Sequence, residues 1–200
     1  MTTITVSEWM SLDGVIQGPS SPDEDPRDGF TDGGWHPQYL DDLVREHTVS
    51  GLNRASGFLF GRWTYELFAA YWPTSGPEVR DLSEPLSSKP KYVASRTLTG
   101  PLEWQNSMLL KGDLVEAVTA LKRDGDGELF VIGSTELVRP LLAHGLVDEL
   151  RLVIDPIVLG RGKRLFADAV PASLRLVDSQ VTGTGAILAT YAPANVTRIE

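Results

Sequence analysis

Residues 128–166 constrain the fold most. The run Leu129-Phe130-Val131-Ile132 is unbroken and apolar, as a strand covered on both faces requires, and it leads through Gly133-Ser134-Thr135 into an amphipathic stretch. Leu137, Val138, Leu141 and Leu142 share one helical face, Ser134 can cap that helix, and Gly145 sits where it would stop. A second apolar segment follows over residues 150–154, so the unit reads strand, glycine turn, helix, strand. A glycine followed by hydroxyls at a helix start aims backbone N–H groups and the positive end of the helix dipole at an anion, most often a phosphate. The turn reads equally as a phosphate site and as a covered βα turn that binds nothing.

The alternation of strands and helices continues along the chain. Ile4-Thr5-Val6 opens as a strand, and Gly57-Phe58-Leu59-Phe60-Gly61 is a buried strand turning through Arg62 into a helix with Tyr65, Leu67, Phe68, Tyr71 and Trp72. Lys91-Tyr92-Val93-Ala94 is another strand, ending in Ser95-Arg96-Thr97, and Met108-Leu109-Leu110 a shorter one. Asp113 with Glu116 forms a capping box for a helix bearing Leu114, Val115, Val118 and Leu121. Tyr39, Leu40, Leu43, Val44 and His47 fall at helical spacing after Pro37 at a first-turn position. Residues 174–181 and 186–191, joined by Thr182-Gly183-Thr184-Gly185, predict a terminal antiparallel hairpin. The whole predicts an α/β three-layer sandwich with a mixed, mainly parallel central sheet, in one domain over residues 1–200.

Residues 18–34, rich in Pro, Gly and Asp, form a loop too long for a mere connection. Its Gly33-Gly34-Trp35-His36 exit, a large aromatic among flexible residues, favours a functional loop over a solvated tether.

Composition removes several functions. A formal net charge of -9 argues against a nucleic-acid partner, which demands clustered Lys and Arg, so any phosphate must be held by a few local basic groups. With no cysteine, nothing is stapled. No apolar run approaches the roughly 20 residues of a membrane span, and residues 1–9 lack the regions of a signal peptide, so a cytoplasmic location is expected. His36, His47 and His144 lack metal-ligand spacing, and no metal is expected. No Gly-x-Ser-x-Gly elbow, P-loop or Gly-x-Gly-x-x-Gly fingerprint is present.

The opening residues 4–14 with Ser11-Leu12-Asp13-Gly14, the Gly61-Arg62-Trp63-Thr64-Tyr65-Glu66 turn, the Ser95-Arg96-Thr97 strand end and the Ile132-Gly133-Ser134 turn come in a telling order. So do Gly145-Leu146-Val147-Asp148-Glu149-Leu150 and Pro156-Ile157-Val158-Leu159-Gly160. Together they resemble the dihydrofolate reductase-like superfamily, and most closely the reductase domain of the riboflavin-biosynthesis deaminase-reductase. The resemblance spans nearly the whole chain.

It implies a dihydrofolate reductase-like fold, NADPH as cofactor, hydride transfer to a small pterin- or pyrimidine-like substrate, and a homodimer. Gly133, Ser134 and Thr135 would lie under the pyrophosphate; Gly61, Arg62 and Thr64 match a second phosphate-binding helix start; Ser95 and Arg96 match residues beside the adenosine 2′-phosphate. Surface exposure is the competing reading for Arg62 and Arg96. The resemblance places Asp13 near nicotinamide and substrate as a catalytic carboxylate, against the plain reading of a turn aspartate before Gly14. Trp35 is the expected substrate-contacting ring. Arg161, Gly162, Lys163 and Arg164 either meet substrate or form a solvated basic cluster. The zinc deaminase of the riboflavin enzymes is missing, so a riboflavin role does not follow. A non-catalytic nucleotide- or ligand-binding protein of the same fold is the alternative.

Overall fold

The computed structural model describes residues 1–133, 135–167 and 171–194. Eight strands form one sheet: β1 (Thr3–Ser11), β2 (Gly57–Gly61), β3 (Lys91–Ala94), β4 (Ser107–Leu110), β5 (Glu128–Ile132), β6 (Glu149–Asp155), β7 (Leu174–Val181) and β8 (Ile187–Pro193). Their order is β4-β3-β2-β5-β1-β6-β8-β7, with every pair parallel except β6–β8 and β8–β7. The helices are α1 (Asp42–Arg54), α2 (Arg62–Tyr71), α3 (Arg80–Ser88), α4 (Leu114–Asp124) and α5 (Thr135–Ala143). Among the described residues no helix is long and apolar enough to cross a membrane.

Period-two alternation in the buried strands supplies the two interfaces of the sandwich. Phe58, Phe60 and Phe130 pack with Leu52 of α1, Tyr65 of α2 and Leu86 of α3, whereas Leu59, Val131, Ile4 and Val6 pack against Val118 of α4 and Leu137, Val138 and Leu141 of α5. Each such buried side chain contributes about 1.5–3 kcal/mol relative to exposure. The fold is therefore the mixed, mainly parallel three-layer sandwich with a terminal antiparallel hairpin that the pattern predicts.

Local signals decide most element ends. Asp113 caps α4 by accepting from the Val115 and Glu116 amides at 2.9 and 3.0 Å. After α5, Gly145 takes φ +63°, and the Leu146 amide reaches back to the Leu141 carbonyl at 2.9 Å. The helix expected to start at Pro37 starts later: Pro37–Tyr39 is a separate 3-10 turn, Leu40 is extended, and Asp41 caps α1 through the Val44 amide at 3.0 Å. The second carboxylate oxygen of Asp41 accepts from the Gly183 amide at 2.9 Å, so a contact 142 residues away helps set that boundary. Helix α3 carries Pro85 and had no clear sequence signature. It is closed by Lys91, wholly buried, whose Nζ donates to the Leu86, Ser87 and Lys89 carbonyls at 2.8, 3.1 and 2.9 Å. Burial pulls that ammonium down to about 8.

Candidate active site

The carboxyl ends of β3, β2, β5 and β1 lie side by side, which is where open parallel sheets place their ligands. Gly61 is in register with Ala94, so Arg62 and Ser95 follow adjacent strand ends. On the other side, β1 pairs with β5 only as far as Ser7 with Ile132, while its pairing with β6 continues to Ser11 with Asp155. Past that last β1–β5 pair, Glu8 and Gly133 flank a gap between two strands.

A cavity of about 480 Å³ opens at this gap. Its lining includes Ser7 and Trp9 from one face of β1 and Glu8 from the other, so it reaches through the sheet between the strand ends. Trp63, Phe68, Trp72 and Phe130 supply aromatic walls, Leu52, Leu82 and Leu86 aliphatic ones, and Arg27, Arg45 and Lys163 positive charge. Arg45 is paired with Asp81 at 2.7 Å, joining α1 to α3.

Of the residues singled out in the sequence, Thr64, Gly133 and Thr135 line the cavity together. Gly133 has φ +50°, and a Cβ there would stand 2.9 Å from Thr64 Oγ1, so glycine is required twice over. Gly61 precedes α2 without any side-chain cap, leaving the first amides of that helix for a ligand. Arg62 and Arg96 are exposed and outside the cavity lining, Arg62 being only loosely placed against Glu66 at 3.9 Å. Ser95 Oγ accepts from the Thr97 and Leu98 amides at 3.1 and 3.0 Å, capping its own turn. Ser134 lies outside the described residues.

Asp13 is tied into a different structure. Its carboxylate accepts from Ser11 Oγ at 2.8 Å, the Leu159 and Gly160 amides at 3.1 and 2.9 Å, and Arg164 at 3.1 Å. Burial works to raise this carboxyl, but the four donors outweigh it and hold it well below the usual carboxylate range. It stays ionised and clamps the segment after β6 onto the end of β1, outside the cavity lining. Trp35 is also off the cavity: it is 3 % exposed, donates Nε1 to the Gln17 carbonyl at 2.9 Å, and packs with Val15 and Phe30. The ring from β1 that does face the cavity is Trp9, stacked on His36 with centroids 4.0 Å apart.

The long loop forms one wall of the cavity, through Gly18, Pro19, Glu24, Asp25 and Arg27. Arg27 is bidentate on Asp25, both contacts at 2.6 Å, and lies 4.2 Å over the Trp63 ring. The basic segment 161–164 is drawn onto acids: Arg161 onto Asp32 at 2.5 Å, Lys163 toward Asp28 at 3.5 Å, Arg164 onto Asp13. Lys163 alone of the four also lines the cavity. Among the described residues no group of His, Cys, Asp or Glu is arranged to hold a metal.

Sequence reasoning passed over Glu8, although the signal was present. Ile4, Val6, Glu8 and Met10 share one face of β1, and a carboxylate in a row of buried apolar positions is an anomaly. Glu8 is 6 % exposed, its Oε1 has no partner among the described residues, and burial pushes its carboxyl up to about 8 despite the nearby Gly133 amide. Glu8 is thus mostly protonated at neutral pH.

Comparison with known proteins agrees with this geometry. Residues 2–188 match the family model of the RibD C-terminal domain. The chain is 31% identical to YyaP of Bacillus subtilis over 190 residues, covering 91% of this chain and 90% of that one. A putative riboflavin biosynthesis protein from Shewanella superposes with a TM-score of 0.70 at 25% identity, over 97% of this chain and 100% of the other. Dihydrofolate reductase from Enterococcus faecalis, in complex with NADP(H), superposes with a TM-score of 0.61 at 15% identity, over 96% and 97% of the two chains. With the sheet order, the glycine turn and the match over residues 2–188 in agreement, the chain belongs to the RibD C-terminal domain family and has the dihydrofolate reductase-like fold.

Proposed function

We propose that the protein is an NADPH-dependent reductase of a small heterocyclic substrate, pterin- or pyrimidine-like. The observation that carries this reading is a single cavity that joins a cradle at Gly133, Thr64 and Thr135 to aromatic walls at the gap between β1 and β5. The cradle is a place where a Cβ would intrude, and two helices of the carboxyl-end rim, α2 and α5, start there.

In this reading the amides around Gly61 and Gly133, with the Thr64 and Thr135 hydroxyls, hold the pyrophosphate. Arg62 and Arg96, just past adjacent strand ends, take the adenosine 2′-phosphate, with Ser95 shaping the turn between strand and arginine. When bound, NADPH supplies a hydride. Trp9, Trp63, Phe68 and Phe130 sandwich a flat ring and exclude water. Asp13 acts at one remove as a positioning residue: it fixes the segment carrying Lys163 against the cavity. The exposed hairpin edge, β7 with Leu174, Leu176, Val177 and Val181 uncovered, joins two protomers.

The test is titration of NADPH against the protein, followed by NADPH consumption with a panel of dihydropterins, aminopyrimidines and cyclic imines or ketones. Saturable binding with turnover on one of them is the expected result. Tight binding with no turnover on any of them would make the protein a ligand-binding member of its family, and no binding would remove the reading altogether.

A further inference from the structure

A buried acid with no side-chain partner among the described residues remains to be accounted for. Glu8 interrupts the apolar row Ile4, Val6, Met10 on β1, and its neighbour across β6 is Leu152. Its Oε1 is buried and unmatched among the described residues, whereas Asp13, only five positions on, satisfies its carboxylate with four donors. A group whose burial costs stability and that joins no ion pair is not there to hold the fold. It borders the cavity at the point where β1 and β5 part, beside Gly133.

We infer that Glu8 is the acid of the reduction, delivering a proton to the ring atom beside the carbon that accepts hydride. This rests on the reductase reading above. As the hydride bonds to the carbon of a ring C=N or C=O, the π pair moves to the nitrogen or oxygen, and that atom takes the Glu8 proton. The products are the C–H, N–H or C–H, O–H compound, NADP⁺ and the Glu8 carboxylate, which regains its proton from water through the cavity. The aromatic walls suit a flat acceptor ring, and a neutral carboxyl suits a ring whose acceptor atom carries no proton of its own.

Geometry keeps that proton on Glu8. Desolvation is the leading cause of its raised carboxyl, and no charge partner contributes. The charged groups that share the cavity stand on other elements: Glu24, Asp25 and Arg27 on the loop, Asp41, Asp42 and Arg45 at the start of α1, Lys163 on the segment after β6. Helix α5 carries Glu136 and Arg139, and β6 turns Arg151 and Asp155 to the sheet face opposite Glu8.

The experiment compares the parent with Glu8→Gln and Glu8→Asp. Infrared difference spectra between parent and Glu8→Gln, taken from pH 6 to pH 9.5, should contain a protonated-carboxyl band that titrates near 8. A carboxylate band throughout overturns the assignment without any turnover measurement. In NADPH consumption with the acceptor on the panel that reacts fastest, the parent rate should fall above about pH 8. Glu8→Gln should lose about 10²- to 10⁴-fold in kcat and that pH limb together, with NADPH affinity within threefold of the parent. Glu8→Asp should recover part of the rate and a pH limb. Full activity with an unchanged pH profile in Glu8→Gln overturns the acid while leaving the reductase standing. A parent that binds no NADPH, or turns over no acceptor, overturns the reductase reading and this assignment with it.

Discussion

His36 Nδ1 lies 2.7 Å from Asp155 Oδ2, and neither side chain has any exposure to solvent. The pair joins the exit of the long loop to the end of β6. Burial raises the Asp155 carboxyl and the His36 contact lowers it, with burial prevailing. His36 Nε2 and Asp155 Oδ1 have no partner among the described residues, so the pair is held at a cost. What it supports is Trp9, stacked on the His36 ring at the wall of the cavity.

Removing one member should therefore be worse than removing both. His36→Ala leaves a carboxyl buried alone and should cost about 3–5 kcal/mol, whereas His36→Leu with Asp155→Leu should cost markedly less. Urea unfolding of both variants checks this. The Trp9 emission should shift in His36→Ala as its stacking partner goes.

Glu8 makes the stability depend on pH in a particular direction. Its folded value, about 8, lies above the ordinary glutamate value of 4.5, so the folded chain keeps a proton that the unfolded chain releases. The contribution is complete below pH 4.5 and is lost as pH rises through about 8, on the order of 5 kcal/mol in all. Glu8→Gln should gain in Tm over the parent progressively from pH 5 to pH 9. His47, which burial and Arg151 depress to about 4, acts the other way: its contribution is present above 6.5 and lost as pH falls toward 4. Taking the difference between Glu8→Gln and parent cancels it, and a difference that is flat with pH would show Glu8 ionised in the fold.

Cofactor discrimination should rest on Arg62 and Arg96. A charged hydrogen bond to the 2′-phosphate is worth roughly 1.5–3 kcal/mol, so Arg62→Ala or Arg96→Ala should weaken NADPH about tenfold or more and NADH much less. Both arginines are exposed, so the effect should shrink as salt rises. Fluorescence titration of both nucleotides measures it, and equal losses for the two would return these arginines to the open surface.

Asp13→Asn should loosen the 156–167 segment. It replaces a carboxylate held by four donors with a group that can accept less and that leaves Arg164 without its charge partner, at a cost of about 1–3 kcal/mol. Because the folded carboxyl is depressed, the stability it adds is present above the ordinary aspartate value and lost as pH falls below it. Thermal unfolding should show parent and variant converging in acid.

The β7 edge should be an interface. Light scattering should return twice the 21.8 kDa chain mass, and Leu176→Asp with Val181→Asp should return the single-chain mass with an unchanged far-UV circular dichroism spectrum, since both residues are exposed in the lone chain.

The amino-acid sequence by itself determined the elements whose signals are local. Asp113 and Glu116 announce α4, Gly145 ends α5, and the unbroken run of β5 requires cover on both faces, because these depend on neighbours within a few residues. Gly133 and Thr135 stood out by a signal of the same local kind, a glycine and hydroxyls at a helix start after a strand, whereas Thr64 came from the family resemblance; the three line one cavity. Tertiary structure alone decided the rest. Trp35, conspicuous among glycines, is turned inward by Gln17, and Trp9, inconspicuous in a strand, faces the cavity. Asp13 is claimed by amides near residue 160, and His36 by Asp155, 119 residues away. Glu8 stood at an inward position all along, but the meaning of its place depended on how far β1 pairs with β5. Pairing length and loop direction are set by contacts distant in the chain, and no local period records them.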